Sequence, residues 1–399
     1  MQTRGTGFSQ LPNELVMQVA GHIKNSRDMV NFASTSKSNH ANMSESFHLL
    51  PPGEQQKHFL SAIMRDDVDA LAFMLKSEPS QSGAIDAGLN MFHNLYGKES
   101  VVWLASLESR KANEIIGLLL DNTTTAPSLL IASNACKLTP SISADTALKL
   151  FERSFNGDPA NFMSQSAELL HSSAQHGNIG TLRALLTMPQ LGLDINALHQ
   201  GTSLLTKSIR SHNLDMQKFL INETNINPNI RDESGSTPIH EAINESFSNR
   251  MGLADGGVDT VTALLKNKKL DVNMPHEPTG REPLGAMLHH LELATRATGS
   301  GGHIPLNMEL KGTLILSLLL KKPELNVNAK DTEHGQTALH TCARIGFETG
   351  VKSLVNHPDI DIHAKCFQGN RPRAYASDPE IKKLLPKYGL VEKMKKTMK

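Results

Sequence analysis

An all-α chain, with an N-terminal helical module followed by a solenoid of helical repeats carrying insertions, is the fold this sequence predicts. Three observations carry the prediction. A loop pattern of Asp or Asn, a hydrophobic residue and Asn recurs, ending at Asn196, Asn229, Asn273 and Asn328, with His363 closing the last copy. The intervals are 33, 44, 55 and 35 residues, a period in the range of stacked repeat units. Each loop is followed five to seven residues later by a glycine and a helix start, and preceded by a short apolar helix.

Bulk properties narrow the function. At 399 residues the chain exceeds one ordinary core, so several domains or a repeat array are expected. Lys plus Arg equals Asp plus Glu at 40 each, which leaves no overall field for drawing the protein onto nucleic acid or an anionic membrane. Cys136, Cys342 and Cys366 are far apart with no CxxC pair, which argues against a disulfide framework or zinc ribbon. The opening "MQTRGTGFSQ" lacks a signal-peptide core, and "TLILSLLL" at 313–320 is too short to span a bilayer. A cytosolic protein with no transmembrane segment and no nucleic-acid partner is therefore expected.

The first element, residues 7–48, reads as two short helices. Pro12 suits a first helical position, and Leu11, Leu15, Val16, Val19, Ala20 and Ile23 form a broad apolar face. Asn25 and Ser26 break the pattern, Asp28 favours a second start, and Met29, Val30, Phe32 and Ala33 follow. Two helices this short cannot cover so wide a face, so something else must. Residues 49–56, with "PPG" at 51–53, read as a linker. Residues 57–165 read as divergent helical pairs, "HFLSAIMRDDVDALAFMLKSE" and "ESVVWLASLESRKANEIIGLLLDN", with 121–165 matching no repeat.

Residues 166–388 carry the regular copies. "GSTPIHEAI" from Gly235 and "GQTALHTCA" from Gly335 are the best; "GTSLLTKSI", "GREPLGAML" and "GNRPRAYAS" are weaker. Gly235 supplies a backbone conformation that a side chain would penalise, Thr237 is placed to cap, and Pro238 suits the first helical position. The second helices are "TLRALL", "DMQKFL", "DTVTALL", "LILSLLL" and "GVKSLV". Insertions at 244–257 and 289–310 fall where a solenoid either tolerates drift or builds a binding face. Residues 389–399 form a lysine-rich tail, read as a solvated end.

Catalytic patterns are not apparent. His240 and His340 sit at helix starts, where a ring bonds neighbouring backbone; His289 and His290 lack the i, i+4 spacing of a metal pair. Cys366 near His363 has no orienting third group, and "TGSGGH" at 298–303 lacks the ending of a phosphate loop. No cofactor, metal or catalytic residue is assigned.

Helix, turn, helix, extended loop with "TPxH" resembles the ankyrin repeat family, clearest over 166–386. "LPNEL…I…DMVNFASTSK" resembles an F-box, although Thr35 stands where valine is usual. That resemblance implies docking on a Skp-type adaptor of cullin-based ubiquitin ligases through Leu11, Pro12, Leu15, Val19, Ile23, Met29, Phe32 and Ser36, while the repeats hold a target protein. An F-box ahead of degenerate ankyrin repeats resembles effectors that intracellular bacteria inject into host cells. The expectation is a non-catalytic substrate receptor of an SCF-type ligase. Two alternatives stand beside it: a plain ankyrin scaffold whose first helices are a cap, and an enzyme within 57–165.

Overall fold

The computed structural model describes residues 52–75, 109–122, 126–138, 142–248, 257–297 and 304–385. The chain divides into two compact units, residues 1–193 and 194–399. Among the described residues every named element is helical; β pairing is confined to two isolated bridges, His199 with Thr202 and Lys330 with Thr337. No helix there is long and apolar enough to cross a membrane.

The first unit holds seven described α-helices: α1 (Pro52–Met64), α2 (Val68–Leu75), α3 (Ala112–Asn122), α4 (Leu129–Leu138), α5 (Ala144–Gly157), α6 (Pro159–His176) and α7 (Ile179–Leu186). Residues 52–56, placed in a linker from sequence, form the first turn of α1, where Pro52 needs no amide donor. The pair expected in "HFLSAIMRDDVDALAFMLKSE" is present as α1 and α2. Residues 121–165, illegible from sequence, contribute the end of α3, all of α4 and α5, and the start of α6. Here α4 packs on α6, while α5 packs on α3 and α7, giving two rows of helices. Ser143 caps α5 by accepting from the Thr146 amide at 3.2 Å, and Asp158 caps α6 by accepting from the Asn161 amide at 3.2 Å. The Asn178 side chain, fully buried, donates to the carbonyls of Ala135 and Cys136 at 3.0 and 2.9 Å, tying the start of α7 to the end of α4. Phe151, Phe155 and Phe162 form an aromatic cluster with ring centroids 6.0 Å apart across α5 and α6.

The second unit is the regular array. Its helices are α8 (Leu204–Arg210), α9 (Leu214–Glu223), α10 (Pro238–Phe247), α11 (Gly257–Lys266), α12 (Pro283–Ala297), α13 (Leu306–Leu319), α14 (Ala338–Ile345), α15 (Glu348–Val355), α16 (Pro372–Tyr375) and α17 (Pro379–Leu384). The first four consecutive pairs pack as hairpins. The first helices stack in one row, α8, α10, α12, α14, α16, and the second helices in another, α9, α11, α13, α15, α17. Leu, Ile, Val and Met side chains between the rows, among them Leu204, Ile243, Leu264, Met287, Ile315 and Leu354, are fully or almost fully buried.

Local chemistry explains the hairpin entry. Gly235 has φ +75°, and a Cβ there would stand 2.8 Å from both Glu277 and Pro278, so strain and space both demand glycine. Thr237 is extended (φ −97°, ψ 163°) and Pro238 opens the helix. The second insertion is largely helix: α12 and α13 run 15 and 14 residues against 8 each for α14 and α15. The tips 249–256 and 298–303 and the tail 389–399 lie outside the described residues.

Candidate protein-binding site

What joins neighbouring repeats decides which surfaces are free, and three kinds of joint appear. The first is a ladder along the loops. In each copy the first Asp or Asn folds back to accept from an amide two residues on: Asp194 from Asn196 at 2.9 Å, Asp271 from Asn273 at 2.9 Å, Asp361 from His363 at 2.9 Å. That turn aims the Asn side chain at the next repeat. Asn273 accepts from the Asn326 amide at 2.8 Å and donates to the Glu324 carbonyl at 2.7 Å; Asn328 repeats this with Asp361 and Asp359 at 2.8 and 2.7 Å. Asn229 does the same with Asp271 and Lys269 at 2.9 and 2.7 Å. The recurring Asn is thus an inter-repeat bond.

The second joint is the histidine. The Nδ1 of His240 meets the Thr237 hydroxyl at 2.8 Å, and its Nε2 meets the Arg281 carbonyl of the next repeat at 3.0 Å. His340 bonds Thr337 at 2.9 Å and the Asn370 carbonyl at 3.2 Å. The backbone role expected for both holds. Burial pushes the His240 imidazole down to about 4, so the ring is neutral at physiological pH, as a ring that must donate one N–H and accept at the other nitrogen should be.

The third joint was not legible from sequence. At α8–α10, Arg210 donates through Nε to Glu241 and through Nη2 to Asp232, each at 2.8 Å. At α12–α14, Arg344 clasps Glu292 through both terminal nitrogens, and Arg296 joins from the next turn of α12. Burial pushes the Glu292 carboxyl up, but the two guanidiniums overcome this and hold it below the usual range. These junctions are those in which the histidine is missing: Thr206 and Gly285 occupy its place. A cleft of about 320 Å³ opens at the second of them, between α12 and α14, lined by Glu282, Gly285, His289, Gln336, Thr341 and Arg344 among others.

Two of the three cysteines are muted by burial. Burial raises the Cys136 thiol to about 12 and the Cys342 thiol further, and the Cys366 sulfur sits 3.3 Å from the Tyr375 hydroxyl. Among the described residues no group of three or more His, Cys, Asp or Glu is arranged to hold a metal ion. A groove of about 580 Å³ along α4, α5 and α6 carries Ser128, Ser133, Asp158, Asn161 and Gln165.

A family model matches part of the array. Residues 170–276 match the family model described as ankyrin repeats (3 copies). No curated protein matches significantly. Similar solved structures include one chain from the complex of a Bdellovibrio bacteriovorus predatory endopeptidase with its immunity protein (20% identity, 54% of this chain and 95% of that one, TM-score 0.37). An ankyrin repeat protein, EF0377, matches at 18% identity over 55% of this chain and 97% of that one, with TM-score 0.39. The ankyrin repeat domain of Bcl-3, of the IkappaB family, matches at 19% over 54% and 96%, with TM-score 0.33. Residues 170–276 therefore carry ankyrin repeats, within described residues that are otherwise helical, and stacked repeats of this kind bind other proteins along their surface.

The adaptor-facing residues expected from sequence, Leu11, Pro12, Leu15, Val19, Ile23, Met29, Phe32 and Ser36, lie outside the described residues.

Proposed function

We propose that the protein is a substrate receptor without chemistry of its own. The repeats of residues 166–388 hold a target protein, and residues 7–48 dock on a Skp-type adaptor, bringing the target to a cullin-type ubiquitin ligase in the cytosol of a eukaryotic cell. The observation that supports the target-binding half best is the division of labour among the joints. The Asn ladder along the loops and the His and Arg bridges between helices fix neighbouring repeats to one another. Exposed apolar side chains on the same frame, Leu198, Leu293 and Phe367 among them, can then meet a partner without the frame having to order first. A rigid frame suits a receptor, because it holds the target in one pose, and tethering it to the ligase raises its effective concentration at the transferring enzyme. The adaptor half rests on the apolar face and the motif "LPNEL" with "DMVNFASTSK".

Affinity purification from a eukaryotic lysate, comparing the full chain with one lacking residues 1–48, tests both halves. The full chain is expected to bring down adaptor, cullin and a target, and the truncated chain the target alone. A truncated chain that still captures the adaptor sinks the docking half. A full chain that captures a target without adaptor or cullin leaves a plain scaffold.

A further inference from the structure

The cleft between α12 and α14 lies where the repeat pattern fails. At α10–α12 and α14–α16 a histidine ring donates onto the carbonyl of the residue after the next repeat's glycine, Arg281 in one and Asn370 in the other. At α12–α14 the corresponding cap and ring positions hold Glu282 and Gly285, and the carbonyl in register is that of Gln336. That carbonyl accepts from the Asp331 amide at 2.9 Å, as Arg281 and Asn370 accept from their own loops, but no ring approaches it. A Cβ built on Gly285 would meet only the Cβ of Arg281, at 3.7 Å, and Gly285 itself lines the cleft, so a side chain has room to start from this position.

One acceptor and one donor among the residues lining this space are unpaired. Glu282 Oε2 is buried without a hydrogen-bond partner. The cations around the cleft have acceptors already: Arg296 and Arg344 on Glu292, Lys330 on the Lys365 carbonyl at 2.9 Å, Arg281 beside Glu333 at 3.9 Å. Burial, with Asp271 adding, pushes the Glu282 carboxyl up to about 7, as expected for a carboxyl without its cation. The Nε of Arg344 is likewise buried and unpaired, a donor awaiting a carbonyl.

We propose that this cleft is a socket for an arginine residue of the partner protein. The guanidinium takes the place of the absent imidazole and donates to Glu282 and to the Gln336 carbonyl, while a peptide carbonyl of the same partner accepts from Arg344 Nε. A planar, donor-only fork answers two acceptors in different directions better than an ammonium does. The inference deepens the reading of the array as a protein-binding surface and is independent of the adaptor half.

The test is calorimetric titration of the full chain with Nα-acetyl-arginine methylamide and with its neutral isostere, Nα-acetyl-citrulline methylamide. The arginine probe is expected to bind at least tenfold more tightly. Glu282→Gln should abolish that preference. Gly285→His should abolish binding of the probe and raise the thermal midpoint, because the ring refills the gap and bonds the Gln336 carbonyl. Equal affinity for the two probes, no binding of either, or unchanged arginine binding in either variant overturns the proposal. The two readings fail separately: a lysate purification that yields no target counts against the receptor, whereas the probe titration reports on the socket alone.

Discussion

Asn273 joins two repeats from one side chain, and the two bonds it makes are to backbone that the next loop cannot satisfy by itself. Asn273→Ala should lower stability by about 1–2 kcal/mol, the net worth of two such bonds, read as a shift of the urea midpoint with unchanged slope. An unchanged midpoint would mean that apolar packing alone sets the stack. His240 makes a pH prediction. Its folded value of about 4 lies below the ordinary 6.5, so its contribution is complete above pH 6.5 and lost as pH falls toward 4. The neighbours His276 and Arg231 push it in the same direction. Glu282 has the opposite sign: raised from 4.5 to about 7, it contributes fully below pH 4.5 and loses that contribution as pH rises through 7. Glu282→Gln should therefore raise the thermal midpoint at about pH 8 and leave it nearly unchanged near pH 4.5, while His240→Asn should flatten the acid limb.

At the scale of single helices and hairpins, the legible features were those written within one repeat. Gly235, Thr237, Pro238 and His240 act on residues a few positions away or on the adjoining loop, so their spacing survives in the sequence. The Arg210 and Arg344 bridges depend on which side chains face each other across 31 and 52 residues, and nothing local announces them. "GREPLGAML" was readable as a weak copy; that its Gly285 opens a cleft required the neighbouring repeat. Residues 121–165 stayed opaque for a different reason. A single residue, Asp158, separates α5 from α6, leaving no loop to carry the Asn signature. One position in the first unit tests the packing there. A Cβ at Gly180 of α7 would lie 2.0 Å from the Ile142 carbonyl oxygen, a backbone atom with little room to yield. Gly180→Ala should destabilise by about 1–3 kcal/mol in thermal unfolding of the full chain, even though alanine favours helix. A stabilised variant would show that the approach of α7 to this loop is looser.

For the whole molecule the decisive prediction concerns the N-terminal motif. Leu11→Ala combined with Pro12→Ala should abolish capture of a Skp-type adaptor while the circular dichroism spectrum stays helical and the target is still captured, because a few apolar anchors dominate such interfaces. Adaptor capture that survives the double change would rule out the docking role of these residues. The apolar face of residues 7–48 was legible as a motif needing a cover; the structure describes none of it.

The Asn ladder carries one more implication. Its cross-repeat acceptor bonds measure 2.8 to 2.9 Å whether 44, 55 or 35 residues separate successive loop ends. Registration between neighbours is thus indifferent to how much chain is threaded between them. Evolution, or a protein engineer, can splice new sequence between α12 and α13 and alter what the molecule grips while its spine keeps the same pitch.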